Sequence, residues 1–221
     1  MNIVFEGIDG VGKSTIINTM MVDLSAKKEV VRYVDELTQD SPISGVLSKM
    51  LSDDPFFNLD KSFPTSIFES LLLAADMHYR QEKYKYEDGF NLYDRDFLSI
   101  LAYQKEILKG DYANYKEFYE PFKNLVMFNL KPIDLLVYVH APVELSIERV
   151  AARDKIQYLE KEKKFLTDLK KSYEEELLPE LEKQNIKVLR LDGRQKPSSN
   201  IIKIYNEIGY EKGREVDYER D

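Results

Sequence analysis

The residues Gly7-Ile8-Asp9-Gly10-Val11-Gly12-Lys13-Ser14 satisfy the pattern G-x-x-x-x-G-K-[ST], and each fixed position has a chemical reason. The glycines let backbone N–H groups wrap phosphate oxygens with no side chain in the way. A helix beginning at the end of the loop adds the positive end of its dipole. Lys13 then reaches the β- and γ-phosphates of a nucleoside triphosphate, and Ser14 offers a hydroxyl oxygen to magnesium. Gly7, Asp9, Gly10, Val11, Gly12, Lys13, Ser14 and Thr15 therefore read as a cradle for ATP with Mg2+. The glycines run G-x-x-G-x-G, which excludes the dinucleotide fingerprint G-x-G-x-x-G. The chain has no N-K-x-D guanine motif, and it carries Asp94-Arg95-Asp96 where an ATP-driven motor would show Asp-Glu. Phosphoryl transfer to a small acceptor is the class that remains.

Such groups need elements to hold them. Residues 2–6 form a short apolar run ending at Gly7 and read as a buried strand. Residues 13–24 follow with helical spacing of Ile16, Ile17, Met20, Met21 and Leu24. Further strands are expected at 30–34, 90–93, 134–140 and 187–191. Helices are expected at 65–83, with Ile67, Phe68, Leu71, Leu72 and Ala75 along one side, and at 98–108, 115–127, 143–152, 158–178 and 198–208. Strands separated by helices imply parallel crossovers, hence an α/β three-layer P-loop fold whose five-stranded parallel sheet is flanked by helices. The 221 residues suit one domain over 1–210, followed by a charged tail at 211–221.

Bulk properties narrow the partners. A formal net charge of −8 argues against a nucleic-acid binder, which needs a concentrated basic face. The absence of cysteine excludes disulfides and thiolate chemistry and fits a reducing cytoplasm. With only His78 and His140, oxygen-liganded magnesium is the metal to expect. The N-terminus enters a strand without a secretory leader, and the longest apolar run, around 135–139, is too short to span a bilayer.

Several stretches resemble the thymidylate kinase family. Phe5 to Thr15, F-E-G-I-D-G-V-G-K-S-T, is similar to the family's opening, and L-L-L-A-A-D from Leu71 to Asp76 to its third block. Y-D-R-D-F-L-S-I-L-A-Y-Q, from Tyr93 to Gln104, resembles the D-R-x-x-x-S-x-x-A-Y-Q signature. K-P-I-D and the later E-R-V-A-A-R, Glu148 to Arg153, fall in the family's order. The likeness extends over roughly 2–208. It implies that Asp9 contacts the acceptor's sugar hydroxyl, Asp94 helps hold magnesium, and Arg95 grips the acceptor phosphate. It implies that Tyr103 and Gln104 line the acceptor pocket and that Arg149 and Arg153 open a lid, at about 150–160, over the transferring group. Neither Gly10 nor Val11 is an arginine, so the lid is the expected source of that cation. A homodimer is implied by the resemblance alone.

The departures bear on the acceptor. The family's Arg-Glu-Pro-Gly-Gly type segment is here Asp35-Glu36-Leu37-Thr38-Gln39-Asp40, which keeps the glutamate and loses the arginine. The thymine-stacking phenylalanine and base-reading arginine correspond to Leu73 and Met77, and the D-R-x-E lid element is degraded near Gln157 to Glu160. Two rivals stand beside a deoxynucleoside monophosphate kinase. A deoxynucleoside kinase would need a carboxylate to accept the 5′-hydroxyl proton, and Glu36 is placed for it. A regulator that kept the cradle and lost the chemistry is the alternative outside the enzymes. His140 reads as structural, the fifteen tyrosines as packing, and Phe165, Leu169, Tyr173 and Leu177 as a core or dimer face.

Overall fold

A computed structural model of the chain describes residues 1–52, 63–83, 89–128 and 130–211. The expected tail at 211–221 therefore lies, beyond its first residue, outside the described residues. In chain order the elements are β1 (Asn2–Glu6), α1 (Lys13–Ala26), β2 (Val31–Val34), α2 (Ser44–Ser52), α3 (Phe63–Lys83), β3 (Phe90–Asp94), α4 (Phe97–Asp111) and α5 (Lys116–Phe128). They continue with β4 (Leu135–His140), α6 (Val143–Asp154), α7 (Glu160–Lys171), a π-helical stretch (Ser172–Leu177), α8 (Leu178–Lys183), β5 (Val188–Asp192) and α9 (Pro197–Glu207).

The strands form one parallel sheet in the order β2-β3-β1-β4-β5. The central strand β1 is buried along its whole length, as expected where helices cover both faces of a sheet. Ile3, Phe5, Leu92, Leu135 and Val137 form the sheet's part of the core. Ile17, Met20 and Leu24 join it from α1, and Leu98 and Leu101 from α4. Helix α1 packs against α9, whereas α4 packs against α3, α5, α7 and the π-helical stretch. Parallel strands point the same way, so Gly7, Arg95 and Ala141 leave the sheet at one rim. The amide of Arg95 donates to the carbonyl of Phe5 at 2.9 Å, which carries the pairing one residue past β3 and fixes Arg95 beside the phosphate loop.

Three features differ from the sequence reading. Helix α2 was not expected. The single helix expected over 158–178 is three segments running to Lys183, with six residues of π-helix in the middle. Pro179, in the first turn of α8 just past that stretch, lacks an N–H and so withholds a helical donor from the carbonyls before it. Helix α3 turns an unexpected face inward. Its buried side carries Ser66, Glu69, Ser70, Leu73, Asp76, Met77 and Arg80, while Phe68, Leu71 and Ala75 of the expected apolar side are exposed and Ile67 packs against the core. Ser70 and Glu69 bond Gln104, Asp76 bonds the Thr38 amide and Ser41, and Arg80 bonds Asp96, so the buried polar groups find partners in distant segments. The expected stripe on 158–178 does face the core at Leu169, Tyr173 and Leu177.

Candidate active site

The loop from Gly7 to Gly12 joins β1 to α1 in a geometry that needs its glycines. Gly7 has φ 133°, and a Cβ there would lie 2.2 Å from the carbonyl oxygen of Val139. Gly10 has φ 78°, and its Cβ would meet the Ser146 carbonyl oxygen at 2.3 Å. The Val11 side chain turns into the core, leaving its backbone to the loop. Lys13 is buried, and its ammonium curls back over the loop to donate to the carbonyls of Gly7 (2.9 Å) and Ile8 (3.2 Å). Burial, with Arg95 nearby, lowers the Lys13 pKa from its ordinary value. A cleft of about 450 Å³ opens here, lined among others by Lys13, Ser14, Thr15, Arg149, Arg153 and Asn200.

Arg149 packs onto the loop itself. Its Nη1 donates to the carbonyls of Gly10 (3.2 Å), Val11 (3.4 Å) and Gly193 (3.1 Å), tying the phosphate loop to the segment after β5. Arg153, one turn on, pairs with Asp154 at 2.7 Å and keeps most of its side chain in solvent. The residues between α6 and α7 start at Lys155, which has φ 56°.

Across the loop, Ser14 Oγ donates to Asp94 Oδ2 at 2.9 Å, and the Tyr33 hydroxyl approaches the same oxygen at 3.3 Å. Among the described residues no three or more histidine, aspartate or glutamate side chains gather as a metal cage. One hydroxyl and one carboxylate oxygen, facing a phosphate cradle, form instead the sparse hard-oxygen set that suits magnesium, which keeps waters and phosphate oxygens for its other positions. The residues present fit that ion.

On the other side of the loop, Arg95 is 3% exposed and carries a positive φ of 68°. Its Nη2 pairs with Asp9 Oδ1 at 2.7 Å, its Nη1 donates to Ser99 Oγ at 3.1 Å, and its Nε lies 3.5 Å from Glu36. The Tyr103 hydroxyl donates to Asp9 Oδ2 at 3.1 Å, and the Arg95 guanidinium lies 5.1 Å from the centre of the Tyr103 ring. Burial alone would raise Asp9, but the charges of Arg95 and Lys13 hold it down to about 2. Glu36 goes the other way, pushed up by burial and by Asp9 and Asp94 against the pull of Arg95.

The expected acceptor residues are thus brought together in part. Asp9, Glu36, Arg95 and Tyr103 converge, and Leu73 lines a small cavity with Glu36, Leu37 and Tyr103. Met77 sits in the core. Gln104 is fully buried between α3 and α4, accepting from Ser70 and donating to Glu69. His140 closes β4, its ring stacked on Tyr138 at 6.3 Å and its carbonyl accepting from Gly193. Sequence reasoning missed Arg80, which lines the same cavity, donates to the carbonyls of Asp35 and Glu36, and pairs with Asp96. Its place one turn after Met77, on the same helix face, was the available signal.

A family model described as thymidylate kinase matches residues 5–200. A probable thymidylate kinase of Methanobrevibacter smithii is 33% identical over 175 residues, covering 78% of this chain and 79% of that one. A thymidylate kinase of Legionella pneumophila is 30% identical over 166 residues, covering 72% and 73%. In three dimensions, a deoxyadenosine kinase from M. mycoides with bound dATP superposes with a TM-score of 0.68 at 18% identity, covering 95% of this chain and 100% of that one. The last likeness is one of fold.

Proposed function

The chain belongs to the thymidylate kinase family and is a nucleotide kinase; on that premise we propose that it transfers the γ-phosphoryl group of ATP to dTMP, giving dTDP and ADP. The observation that carries this is the buried Arg95 guanidinium, held by Asp9 beside the phosphate loop. A cation fixed there suits an acceptor that brings its own negative charge.

In this reading Gly7, Asp9, Gly10, Val11, Gly12, Lys13, Ser14 and Thr15 form the ATP cradle, and Lys13 leaves its carbonyl partners for the β- and γ-phosphates. Ser14 and Asp94 hold Mg2+, which when bound neutralises phosphate charge and orients the oxygens. A phosphate is already an ionised nucleophile, so the acceptor needs cations more than a base, and Arg95 supplies one. Asp9, Glu36, Leu73, Met77, Tyr103 and Gln104 complete or support the acceptor side. Arg153, the more exposed of the two lid arginines, swings from Asp154 toward the moving phosphoryl group, while Arg149 steadies the loop. Residues 1–210 act as one kinase domain, with the lid at about 150–160.

The exposed apolar side of α3, with Phe68 and Leu71, supports a homodimer. Among the described residues no helix is long and apolar enough to cross a membrane. The net charge of −8 supports small nucleotides over nucleic acid as partners, and use of ATP and Mg2+ supports a cytoplasmic setting.

A second reading rests on Glu36, whose carboxylate stands 3.5 Å from Arg95 Nε and is pushed toward its protonated form. It would suit a nucleoside 5′-hydroxyl. A coupled ADP-release assay with dTMP against thymidine, and each other deoxynucleotide against its nucleoside, separates the two. Turnover of dTMP is expected. Turnover of nucleosides alone makes Glu36 the base, and ATP binding without turnover of any acceptor overturns both.

A further inference from the structure

Glu6, the last residue of β1, is fully buried, and phosphoryl transfer as assigned to the other residues gives it no task. Its Oε1 accepts the backbone N–H groups of Asp96 at 3.0 Å and Ser99 at 3.2 Å. Its Oε2 accepts the Ser99 hydroxyl, and the Tyr173 hydroxyl stands 3.4 Å from it. The two amides open helix α4, whose own N-cap residue, Asp96, turns its carboxylate away to Arg80 and Gln81. A side chain of β1 therefore caps α4.

The hydroxyl of Ser99 has one proton to give. Glu6 takes it, and the oxygen keeps lone pairs, one of which accepts Arg95 Nη1 at 3.1 Å. The backbone of Arg95 stands at φ 68° and is held by its N–H on Phe5, whereas its guanidinium is placed by Asp9, Glu36 and Ser99, of which Ser99 holds Nη1.

We propose that Glu6 is a positioning residue for acceptor binding: its carboxylate orients Ser99 so that Oγ accepts from Arg95 and fixes the guanidinium where the acceptor phosphate docks. The inference rests on the assignment of Arg95 to that phosphate. Protonation reverses the relay: the Tyr173 hydroxyl also stands 3.0 Å from Ser99 Oγ, so a neutral Glu6 that donates its own O–H to that oxygen, together with Tyr173, takes both lone pairs and leaves none for Arg95. Burial raises Glu6 from 4.5 to about 7, opposed by the Ser99 hydrogen bond, the Arg95 charge and the Asp96 amide, with the Asp96 charge acting upward. The titratable or charged groups that bear on it, among the described residues, are Arg95 and Asp96 from the β3–α4 junction, Tyr173 from the π-helical stretch and Tyr138 from β4.

The signs are opposed. A carboxyl whose folded value is raised favours folding below its ordinary value, and that contribution is lost as pH rises through about 7. Over the same window the Ser99 relay is switched on. Stability falls while acceptor binding tightens, and a merely structural carboxylate has no reason to tighten it.

The test compares Glu6→Gln with the wild type from about pH 5.5 to about pH 8.5, a range in which each pH unit changes the ratio of ionised to neutral Glu6 about tenfold. With saturating ATP and Mg2+ and varied dTMP, the ratio of the two acceptor KM values cancels the acceptor's own phosphate ionisation. That ratio is expected near unity at the acid end and roughly tenfold at the alkaline end, with kcat moved less. Thermal unfolding should show the variant gaining on the wild type as pH rises. A KM ratio that is flat with pH overturns the inference. If the wild type turns over no acceptor, the kinase reading has failed by itself, and a thermal gap that does not widen with pH then overturns the Glu6 inference separately. If Glu6→Gln does not fold, Ser99→Ala removes the relay and leaves the cap; the same rise in KM ratio is expected, and a flat one is again fatal.

Discussion

Asp9 Oδ1 and Arg95 Nη2 stand 2.7 Å apart, although one belongs to the phosphate loop and the other follows a strand eighty-six residues later. The pair welds the ATP side of the site to the acceptor side. Neighbouring parallel strands β1 and β3 deliver both residues to one rim.

Lys13→Ala should lower kcat by roughly 10²–10³-fold, because the ammonium neutralises charge that grows as the phosphoryl group moves. Steady-state kinetics at saturating ATP check this, and near-normal turnover would remove the phosphate loop from the chemistry.

Arg95→Ala should raise the dTMP KM by about 10²-fold through loss of a charge-assisted phosphate contact. ATP affinity should change much less. An unchanged dTMP KM would shift the acceptor away from monophosphates.

Asp94→Asn keeps the hydrogen bond to Ser14 and removes a charge. The Mg2+ concentration for half-maximal activity should rise about tenfold, within the usual range for perturbing a metal's surroundings. A magnesium titration at fixed ATP decides.

Arg80→Ala leaves Asp96 buried beside Gln81 without its cation. Unfolding in urea should show a loss of about 3 kcal/mol. The cost of an isolated surface substitution, below about 0.5 kcal/mol, would mean that the clamp contributes little.

Phe68→Glu places a charge on the exposed apolar side of α3. Sedimentation should find the wild type dimeric and the variant monomeric. A wild type that is monomeric at all concentrations sinks the homodimer.

What was readable in the chain was local. The phosphate loop is contiguous, its glycines are demanded by backbone geometry, and the strands announce themselves as short apolar runs. Helix α3 shows where such reading stops. Its apolar residues were visible as a stripe, yet Phe68, Leu71 and Ala75 of that stripe face outward, because the polar side finds Gln104, Ser41 and Asp96 across the fold. Arg149 was expected over the transferring phosphoryl group, and the structure places its guanidinium on the carbonyls of Gly10, Val11 and Gly193. Glu6 looked like an ordinary strand end, since nothing nearby in sequence shows that Asp96 is already taken by Arg80.

That arrangement bears on the order in which the chain can fold. The group that caps α4 lies ninety residues before the helix it serves. The first turn of α4 therefore cannot be completed from its own sequence and must wait until β1 and β3 have closed a long loop between them. Its later turns have no such dependence. A peptide spanning α4 alone would fray at its start, and during refolding the Asp96 and Ser99 amides should gain protection with the β1–β3 ladder rather than with the rest of the helix.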